Sequence, residues 1–564
     1  MPSLVLSTVG AALLAVPQQP QAVLEIVSLQ HVCSPSTELL PPPMGTLLRW
    51  TDPDARVDLL GIREGGRGID ADRAADVLRQ LHAEACENGK LSIEPEGTNL
   101  IVVGDGALVN QVRDEIDQLA AVLLRPLQIE AALWHIDAGE APPAVLSPGD
   151  WRTWFADRQP LWRSSATTQP SRPVALDGQR WTTYVCDVDT EVAQKQSISQ
   201  PIADAFCEGG RVVVVPHALL GGDELAVHVQ FGLARRRGAV RTAPTGVAGQ
   251  SDLDLPVLES LFGACSARLQ HGGGIAVTLR GHASAGGNHV LTVRAGSPVP
   301  PPTTTLAGIA ALPCSALIDS ALHQRLSPPD PYPRAEENDE YRFPETIELD
   351  GGFGRLEPER LLDLLRSSID ENATPYDLHV GSGHLFVIGP ESVRTAVEAL
   401  LLGLQQRFVR NIAIRHEVRR TGGADADPLH ELVLPSLLGR EATIARLLEM
   451  RALDHIYVDI AQEAAIHDPD VRTLQSGVWL RCRAAPARDT LHVDLLAQCT
   501  HAEPPLLRSI VPSGGNLLPT DIGVARAVHD ALVANGRPID HGDGPTVTLD
   551  GRSHRTVMTT QLRW

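Results

Sequence analysis

The chain is poor in lysine and in aromatic residues. Only two of its 48 basic residues are lysines, Lys90 and Lys195, so nearly all of its positive charge is arginine. The 69 acidic residues leave a formal net charge of −21. Because neutralising phosphates requires a basic face, this balance disfavours a protein that binds nucleic acid non-specifically. We therefore expect no nucleic-acid partner.

Closely spaced cysteines and catalytic signatures are also missing. Eight cysteines are present but none forms a C-x-x-C pair, which gives no support for a zinc ribbon or a redox motif. Most are typical of small buried apolar residues, although Cys186 and Cys207 flank a predicted strand and would be able to pair in an exported protein. No G-x-x-x-x-G-K-[ST], H-E-x-x-H or G-x-S-x-G motif occurs. No catalytic residue, cofactor or metal site is therefore predicted.

Long apolar runs are scarce. Residues 4–16, LVLSTVGAALLAV, have the length of the hydrophobic region of a signal peptide and are too short to span a bilayer comfortably. No Lys or Arg precedes them, unlike in a standard signal peptide, so a first core strand or a misassigned start is the alternative. We expect export to the periplasm or cell envelope, and a cytoplasmic location if this run is not a signal.

The sequence does contain an internal repeat. Residues 100–133 read as strand, tight turn, helix, Arg-Pro break and strand, and residues 385–418 have the same layout 285 positions later (385 − 100). The matches fall on apolar positions at helical spacing and then on alternate positions of a strand. They include Gly104 with Gly389 and Arg125 with Arg410.

The repeat extends upstream to residue 69 with an offset of 287. We expect the two-residue difference in length to fall in a hairpin tip, between residues 94–99 and 381–384. Each copy then reads βαββαβ, with a first strand near residues 57–59 or 347–349. Two helices packed on one face of a three-stranded sheet is the economical fold for that order.

The rest of the chain is predicted to be β-rich. Residues 174–294 alternate with period 2 between Gly-rich turns, with a break at 197–201, and this is typical of antiparallel sheet. Residues 521–534 read as a helix that ends at Asn535-Gly536. The predicted fold is α+β, with two tandem βαββαβ ring-building-type modules that are each followed by an antiparallel β-rich domain. The segments are a leader and N-terminal extension (1–50), a first module (51–137), a first β-rich domain (138–297), a Pro-rich linker (298–345), a second module (346–418) and a second β-rich domain (419–564).

The few aromatic residues cluster after Ser147. Trp151, Trp154 and Trp162 are interleaved with arginines. One interpretation is a stacking platform for a sugar or a base, and an enzyme with a site here, near Asp157, is an alternative function. The interpretation that we favour is a helix that docks by its aromatic side chains.

Residues 100–136 resemble the last periplasmic ring-building module of bacterial secretins and its junction with the β domain. The stretch that carries the resemblance is Arg125-Pro126 followed by an alternating strand to Ala131. The order of the β segments over about residues 57–280, and again over 347–500, is similar to that of type II and type III secretin β domains. The resemblance implies a duplicated, divergent secretin-like protein of the bacterial cell envelope. Such a protein is not an enzyme and acts in protein secretion or envelope assembly.

The resemblance also implies protein partners. They would be further copies of the chain or secretion-system components, bound through exposed sheet edges and helix faces, with association at the outer membrane. The candidate interaction residues are Trp151, Trp154, Trp162, Arg125 and Arg410. The chain departs from the family because two short module-plus-β halves stand in tandem. It also shows no pair of strands of roughly ten residues with an apolar face and aromatic girdles, so we do not expect a self-sufficient channel. A cytosolic protein-binding module is the alternative.

Overall fold

The computed structural model shows a mixed α+β protein that is mostly antiparallel sheet with several helices. The predicted leader (residues 4–16) and the first strands predicted near 57–59 and 347–349 lie outside the described residues. The described residues are 23–29, 36–39, 62–65, 71–123, 125–137, 141–193, 196–243, 252–281, 288–297, 309–318, 356–369, 376–381, 383–421, 428–461, 464–502, 522–543, 545, 547–549 and 552–564.

Within these ranges the structure has seven helices and 29 strands. The helices are α1 Ala71–Leu81, α2 Ala83–Glu87, α3 Gly106–Leu123, α4 Pro148–Phe155, α5 Ser315–Ile318, α6 Pro358–Arg366 and α7 Glu391–Phe408. The strands of the first half are β1 Val23–Ser28, β2 Ser36–Leu39, β3 Ile62–Gly65, β4 Leu91–Glu96, β5 Asn99–Gly104, β6 Leu127–Ile136, β7 Val145–Leu146, β8 Trp162–Thr168, β9 Val174–Ala193, β10 Gln196–Ala218, β11 Glu224–Arg236, β12 Arg241–Ala243, β13 Leu253–Leu255, β14 Val257–Gln270, β15 Gly274–Gly281 and β16 Asn288–Gly296. Those of the second half are β17 Ile309–Pro313, β18 Asp377–Gly381, β19 His384–Ile388, β20 Asn411–Arg420, β21 His430–Leu437, β22 Glu441–Ala461, β23 Ala464–Ala487, β24 Thr490–Ala502, β25 Ile522–Val533, β26 Pro538–Asp543, β27 Val547–Leu549, β28 Arg552–His554 and β29 Thr556–Arg563.

Two small units have the same strand order. The first unit contains the sheet β1-β5-β4 with α1 and α3, and the second contains the sheet β17-β19-β18 with α6 and α7. Alternate residues of the central strand point into each unit's own core, Leu100 and Val102 in the first and Leu385 and Val387 in the second. The strand–turn–helix–strand layouts predicted for residues 100–133 and 385–418 are therefore confirmed as β5-α3-β6 and β19-α7-β20.

The outer strand of each small sheet lies upstream of the predicted unit. Leu24 of β1 pairs with Val103, and Ile309 of β17 pairs with Ile388. The predicted boundaries put these two strands in the N-terminal extension and in the Pro-rich linker. Both strands are short and sit beside Pro-rich segments, so neither was assigned to a unit. The exit strands β6 and β20 leave the units and join a larger sheet.

The length difference between the units does not fall in the hairpin tip. Both hairpins leave two residues between their last pairs, Glu96 with Asn99 and Gly381 with His384. The strands of the hairpin thus keep the offset of 285. Helices α1 and α6 begin at Ala71 and Pro358, which are 287 apart (358 − 71). The prediction was wrong because shifting a strand by two residues leaves the same kind of side chain on each face, so the sequence pattern does not reveal the shift. The extra residues lie between the first helix and the hairpin.

Two large sheets pack face to face over a common core. One has eight strands in the order β25-β24-β23-β22-β14-β11-β10-β9, and the other follows the order β26-β29-β20-β21-β15-β16-β6-β8, with β7 paired to β15. Their shared core draws on both, for example Ile129 and Ile414 from one and Val214 and Leu480 from the other. Strands of the first and second halves of the chain occupy opposite ends of each sheet, so every large sheet runs continuously across both halves.

The eight-stranded sheet contains two long hairpins. Strands β9 and β10 have 20 and 23 residues, and β22 and β23 have 21 and 24. The break predicted at residues 197–201 was wrong. Strand β10 continues through that segment, and the register shift between Ile202 and Ala203 is a bulge rather than an end.

The two hairpins share their irregularities at one offset. The bulge leaves Cys186 of β9 unmatched and Asp454 of β22 unmatched, 268 positions apart (454 − 186). Gly209 and Gly477, also 268 apart (477 − 209), both have positive φ, at 117° and 155°. A Cβ at either position would lie about 2 Å from a backbone oxygen, that of Gly178 in the first hairpin and that of Arg446 in the second.

The helix predicted for residues 521–534 is wrong. These residues form β25, an edge strand paired with β24. Ala527 and Val533 face the core, whereas Val528 and Leu532 are exposed. Tertiary pairing overrides the helical propensity of the alanines, because alternate residues bury one side of the strand.

Candidate docking surfaces

Trp151 belongs to a small core. It is 7% exposed, lies with its ring centroid 5.3 Å from that of Phe155 and has the guanidinium of Arg294 over its ring. Helix α4 begins with a capping box in which Ser147 and Asp150 hydrogen-bond each other's backbone N–H. The Ser147 hydroxyl and amide also lower the pKa of the Asp150 carboxyl. The helix therefore docks by its aromatic side chains.

Trp162 lies in a different core. Its indole stands against Gly178 and Gly210 at the edge of the core between the two large sheets, whereas Trp154 is half-buried beside the Trp151 cluster. The structure therefore does not assemble Trp151, Trp154 and Trp162 into one stacking surface. Asp157 is exposed.

Arg125 holds the junction between the first unit and the large sheets. Its guanidinium donates to the Ser297 hydroxyl (Nε–Oγ 3.1 Å) and to the carbonyl of Gly222 (3.3 Å), and its Nη2 lies 3.2 Å from His271 Nε2. Burial lowers the pKa of Arg125, and Asp223 partly offsets that effect. These contacts fix the chain where it enters β6.

Arg410 has a different environment. Arg410 is exposed. At the second junction its backbone carbonyl oxygen accepts a hydrogen bond from the Leu438 N–H at 2.9 Å. The match of Arg125 with Arg410 in the sequence thus places two arginines at equivalent chain positions with unlike contacts.

The two units contact each other through a sheet face and a helix. Ile309 and Phe386 of the second unit are buried in the core of the first, and Ala311 and Ile388 are half-buried beside them. We call these four residues the covered face. Strand β19 lies against α1, whose Val77 is 7% exposed. An apolar sheet face thus docks on a helix of the neighbouring unit.

A polar contact accompanies this apolar one. The Gln80 side-chain amide donates to Asp377 Oδ2 at 2.6 Å. Burial raises the pKa of Asp377, but hydrogen bonds from Gln80 and the nearby His379 outweigh it and leave that pKa below its ordinary value. The Asp377 carboxylate is therefore stabilised in its charged form at this contact.

The first unit carries an uncovered version of the same sheet face. Leu24 and Ile26 are 65% and 63% exposed, and their partners Val103 and Ile101 are half-buried. We call these four residues the open face. The open face was not predicted, because the alternating residues 23–27 were assigned to an N-terminal extension rather than to the first unit.

A second contact between the halves is the strand pair β14–β22, which we call the seam. Its pairs run from Val257 with Met450 to Ala264 with Thr443. An ion pair crosses it, with Arg446 Nη2 2.6 Å from Glu259 Oε1, and Arg235 also binds Glu259. Burial raises the pKa of Glu259, but the two arginines outweigh it and lower that pKa to about 2.

The eight-stranded sheet ends in two edges, β9 and β25. In the described residues, each of these two strands has one partner within that sheet. Exposed apolar side chains lie on both, with Trp181 41% exposed on β9 and Val528 70% exposed on β25. Sheet edges are in general a template for pairing with another chain. On β9, the Val185 N–H already donates to Asp254 Oδ2 at 2.8 Å.

Among the described cysteines, Cys186 and Cys207 are buried and are not joined by a disulfide, so the pairing considered for them is wrong. In the part of the chain that the structure describes, no three His, Cys, Asp or Glu side chains are grouped to hold a metal ion. None of the described helices is both long and apolar enough to cross a membrane.

The structure is similar to secretin chains at low similarity scores. No family model and no curated protein matches the sequence. The secretin InvG of the Salmonella SPI-1 type III secretion injectisome matches with 12% identity and a TM-score of 0.23, covering 51% of this chain and 90% of that one. GspD, the type II secretin of enteropathogenic Escherichia coli, matches with 10% identity and a TM-score of 0.20, covering 40% and 84%. PulD in the Klebsiella pneumoniae type II secretion outer membrane complex matches with 10% identity and a TM-score of 0.18, covering 99% and 77%. Similarity at such values does not establish a shared function.

Proposed function

We propose that the chain is a non-catalytic structural component of the bacterial cell envelope. It contains a duplicated secretin-like unit and acts in protein secretion or envelope assembly by docking protein units onto one another. The observation that carries the proposal is the contact between the covered face and α1, a sheet-on-helix interface between two units of the same strand order. Such a face is built to bind protein rather than to transform a small molecule.

The duplication is supported by features that a backbone preserves. The same strand order, the same bulge and the same pair of positive-φ glycines recur at fixed offsets. Bulges and glycines of this kind are positional features of a fold rather than accidents of composition. The secretin resemblance of residues 100–136 and the apolar run at 4–16 favour the envelope as the site of action.

Fractionation of bacterial cells that produce the full chain tests this function. We expect the chain in the envelope fraction, with a mature N-terminus that mass spectrometry places after the apolar run. Leu13→Arg is the matched variant, because a charge in a hydrophobic signal region blocks export. Recovery of the unprocessed chain in the cytosol, at the same level for both forms, contradicts the proposal and favours a cytosolic binding module.

A further inference from the structure

We propose that three histidines make the closure of the two packed sheets sensitive to acid, so that strand β26 separates from its neighbours below neutral pH. The residues are His416 on β20, His541 on β26 and His529 on β25, and we call them the histidine cluster. Strands β25 and β26 are end strands of the two large sheets, and they contact each other beside the cluster. This inference goes beyond the docking function and does not depend on it.

The histidine cluster faces the core between the two large sheets. His416 is fully buried and lies on the same face of β20 as Ile414, which belongs to that core. His529 lies on the same face of β25 as Ala527, another member of the core. The ring centroid of His541 lies 4.6 Å from that of His529 and 5.8 Å from that of His416. Rings from both sheets therefore meet where the sheets close.

Thr560 of β29 joins two of these rings. Its hydroxyl oxygen lies 2.8 Å from His416 Nδ1 and 2.8 Å from His541 Nε2. Because a hydroxyl carries a single proton, at least one of the two rings donates its own N–H to Thr560. The other ring nitrogens, His416 Nε2 and His541 Nδ1, are buried and have no hydrogen-bond partner among the described residues. A proton added to a donating ring is therefore placed on a buried nitrogen that has no acceptor, which is costly.

The groups around the rings oppose a positive charge. Burial, with smaller effects of His541 and His430, lowers the pKa of His416 from 6.5 to about 3. Burial and then His529 lower the pKa of His541 from 6.5 to about 4, and Asp540 only partly offsets these effects. Both rings are therefore neutral in the closed protein at neutral pH.

The described strands that face or flank the cluster supply no negative charge to it. Cys482 on β23 and Cys499 on β24 face the same core, and burial raises the pKa of both thiols to about 12. His501 lies two positions beyond Cys499 on the same side of β24 and is a further base. On β29 the neighbours of Thr560 on this face are Met558 and Leu562, which are apolar. Acid therefore has to be accommodated by movement rather than by a new ion pair.

The first half of the chain has the same arrangement of strands without the histidines. Strands β15, β16 and β6 form a three-strand ladder like that of β26, β29 and β20. The matching rows are Ile275–Val293–Ala131 in the first half and Ile539–Thr560–His416 in the second. His416 and Thr560 therefore correspond to Ala131 and Val293.

The other two histidines also have apolar counterparts. His541 lies two residues beyond Ile539 and corresponds to Val277, and strand pairing relates His529 of β25 to Cys265 of β14. Both correspondences have the offset 264 (541 − 277 and 529 − 265). Val277 and Cys265 are buried in the core between the large sheets. The fold therefore does not need polar side chains here, and burying them without partners reduces stability.

Strand β26 is the element that can yield. It is the end strand of its sheet and pairs with β29 at four positions, with a register shift between Asp540 and Asp543 that includes His541. Four of its six residues are exposed. The turn before it is held more firmly, because the Gly536 N–H donates to the Leu562 carbonyl at 2.8 Å. Separation should therefore begin around His541 and leave the rest of the two sheets paired.

The direction of the pH effect follows from the lowered pKa values. Above pH 6.5 the rings are neutral in the closed and the open form, and acid has no effect on closure. Below it the open form, whose rings reach water, binds protons that the closed form binds only as the pH approaches 4 for His541 and 3 for His416. The ratio of open to closed protein should rise by about tenfold per pH unit for each proton taken up.

Hydrogen–deuterium exchange of the purified full chain, measured from about pH 7.5 to about pH 5, is the test. After division by the intrinsic exchange rate at each pH, opening of β26 should increase by about tenfold per unit below pH 6.5. Strand β11, in the interior of the eight-stranded sheet, should change much less. A β26 profile that does not depend on pH, or that changes in parallel with β11, overturns the inference. The wild-type profile is decisive, so the test does not require any variant to fold.

Two variants assign the effect to the cluster. In His541→Gln the side-chain amide can still donate to Thr560 but cannot be protonated in this pH range, so β26 should lose most of its pH dependence. His289→Gln is the matched control. Burial also lowers the pKa of His289 to about 4, but this ring lies on β16, with its Nε2 3.2 Å from Arg235 Nη1. The control should keep the wild-type profile at β26, and equal flattening in both variants contradicts the assignment.

Discussion

The two long hairpins of the eight-stranded sheet agree in backbone and differ in contacts. Both have the bulge and the positive-φ glycine at an offset of 268. At the same offset, however, Arg446 of the seam corresponds to Gly178. Strand pairing relates β14 to β25 at an offset of 264, and there Glu259 corresponds to Gly523 at the β25 edge. The features that persist are those that the backbone needs to twist and bend, whereas the ion pair is found where the two halves meet. The comparison teaches that similarity of fold does not make the two junctions equivalent.

The largest effect is expected at the shared glycines. A Cβ at Gly209 would lie 1.9 Å from the Gly178 carbonyl oxygen, and one at Gly477 would lie 2.0 Å from that of Arg446. Gly209→Ala and Gly477→Ala should each destabilise the fold by about 4 kcal/mol or more, because backbone must move in a paired strand. The measurement is the urea midpoint of unfolding followed by circular dichroism.

Gly238→Ala provides the control for backbone strain alone. Gly238 has φ +77° and open space where a Cβ would be, so we expect a loss of about 1 kcal/mol. If only one of the two hairpin substitutions lowers the urea midpoint strongly, the two hairpins are not equivalent.

A smaller effect is expected at the ion pair of the seam. The side chains of Arg446 and Glu259 are 10% and 15% exposed, so Glu259→Gln leaves a buried guanidinium without its counter-charge. We expect a loss of about 2–4 kcal/mol. Glu94→Gln is the control, because Glu94 pairs with Arg79 at an exposed surface and should cost less than about 1 kcal/mol.

The pH dependence of stability tests the same pair. The pKa of Glu259 is lowered from 4.5 to about 2. Its contribution is therefore complete above pH 4.5 and is lost as the pH falls through about 2, with a slope of about 1.4 kcal/mol per unit. Glu259→Gln should flatten this part of the acid profile. An unchanged acid slope in the variant shows that the ion pair does not stabilise the seam.

Local sequence patterns were enough to predict the centre of each unit. The switch from helical to strand periodicity identified β5-α3-β6 and β19-α7-β20 without any knowledge of their neighbours. The same patterns failed for β25, where an alanine-containing stretch was predicted to be a helix but pairs with β24 as a strand. They also failed to join β1 and β17 to the units, because these strands are six and five residues long and depend on pairing for their stability.

The docking surfaces were beyond the reach of sequence for a related reason. Glu259 and Arg446 are 187 positions apart (446 − 259), and no local pattern links them. The open face was not predicted because β1 lies in a Pro- and Gln-rich stretch, and that composition is typical of an extension. The tryptophans attracted attention because aromatics are rare here, yet a rare residue type fills a core as readily as it lines a binding site.

The smallest effect in this series is expected at the two junction arginines. Arg125 is 8% exposed and contacts Ser297, Gly222 and His271. Arg125→Met should cost about 1–3 kcal/mol, because Met cannot replace the hydrogen bonds to the Ser297 hydroxyl and the Gly222 carbonyl. Arg410 is exposed, and Arg410→Met should stay within about 0.5 kcal/mol of the wild type. The urea midpoints of both variants provide the measurement. Equal losses of stability in the two variants would contradict this prediction. It depends on the Arg125 side chain being anchored to the turn at Gly222 while the Arg410 side chain is not.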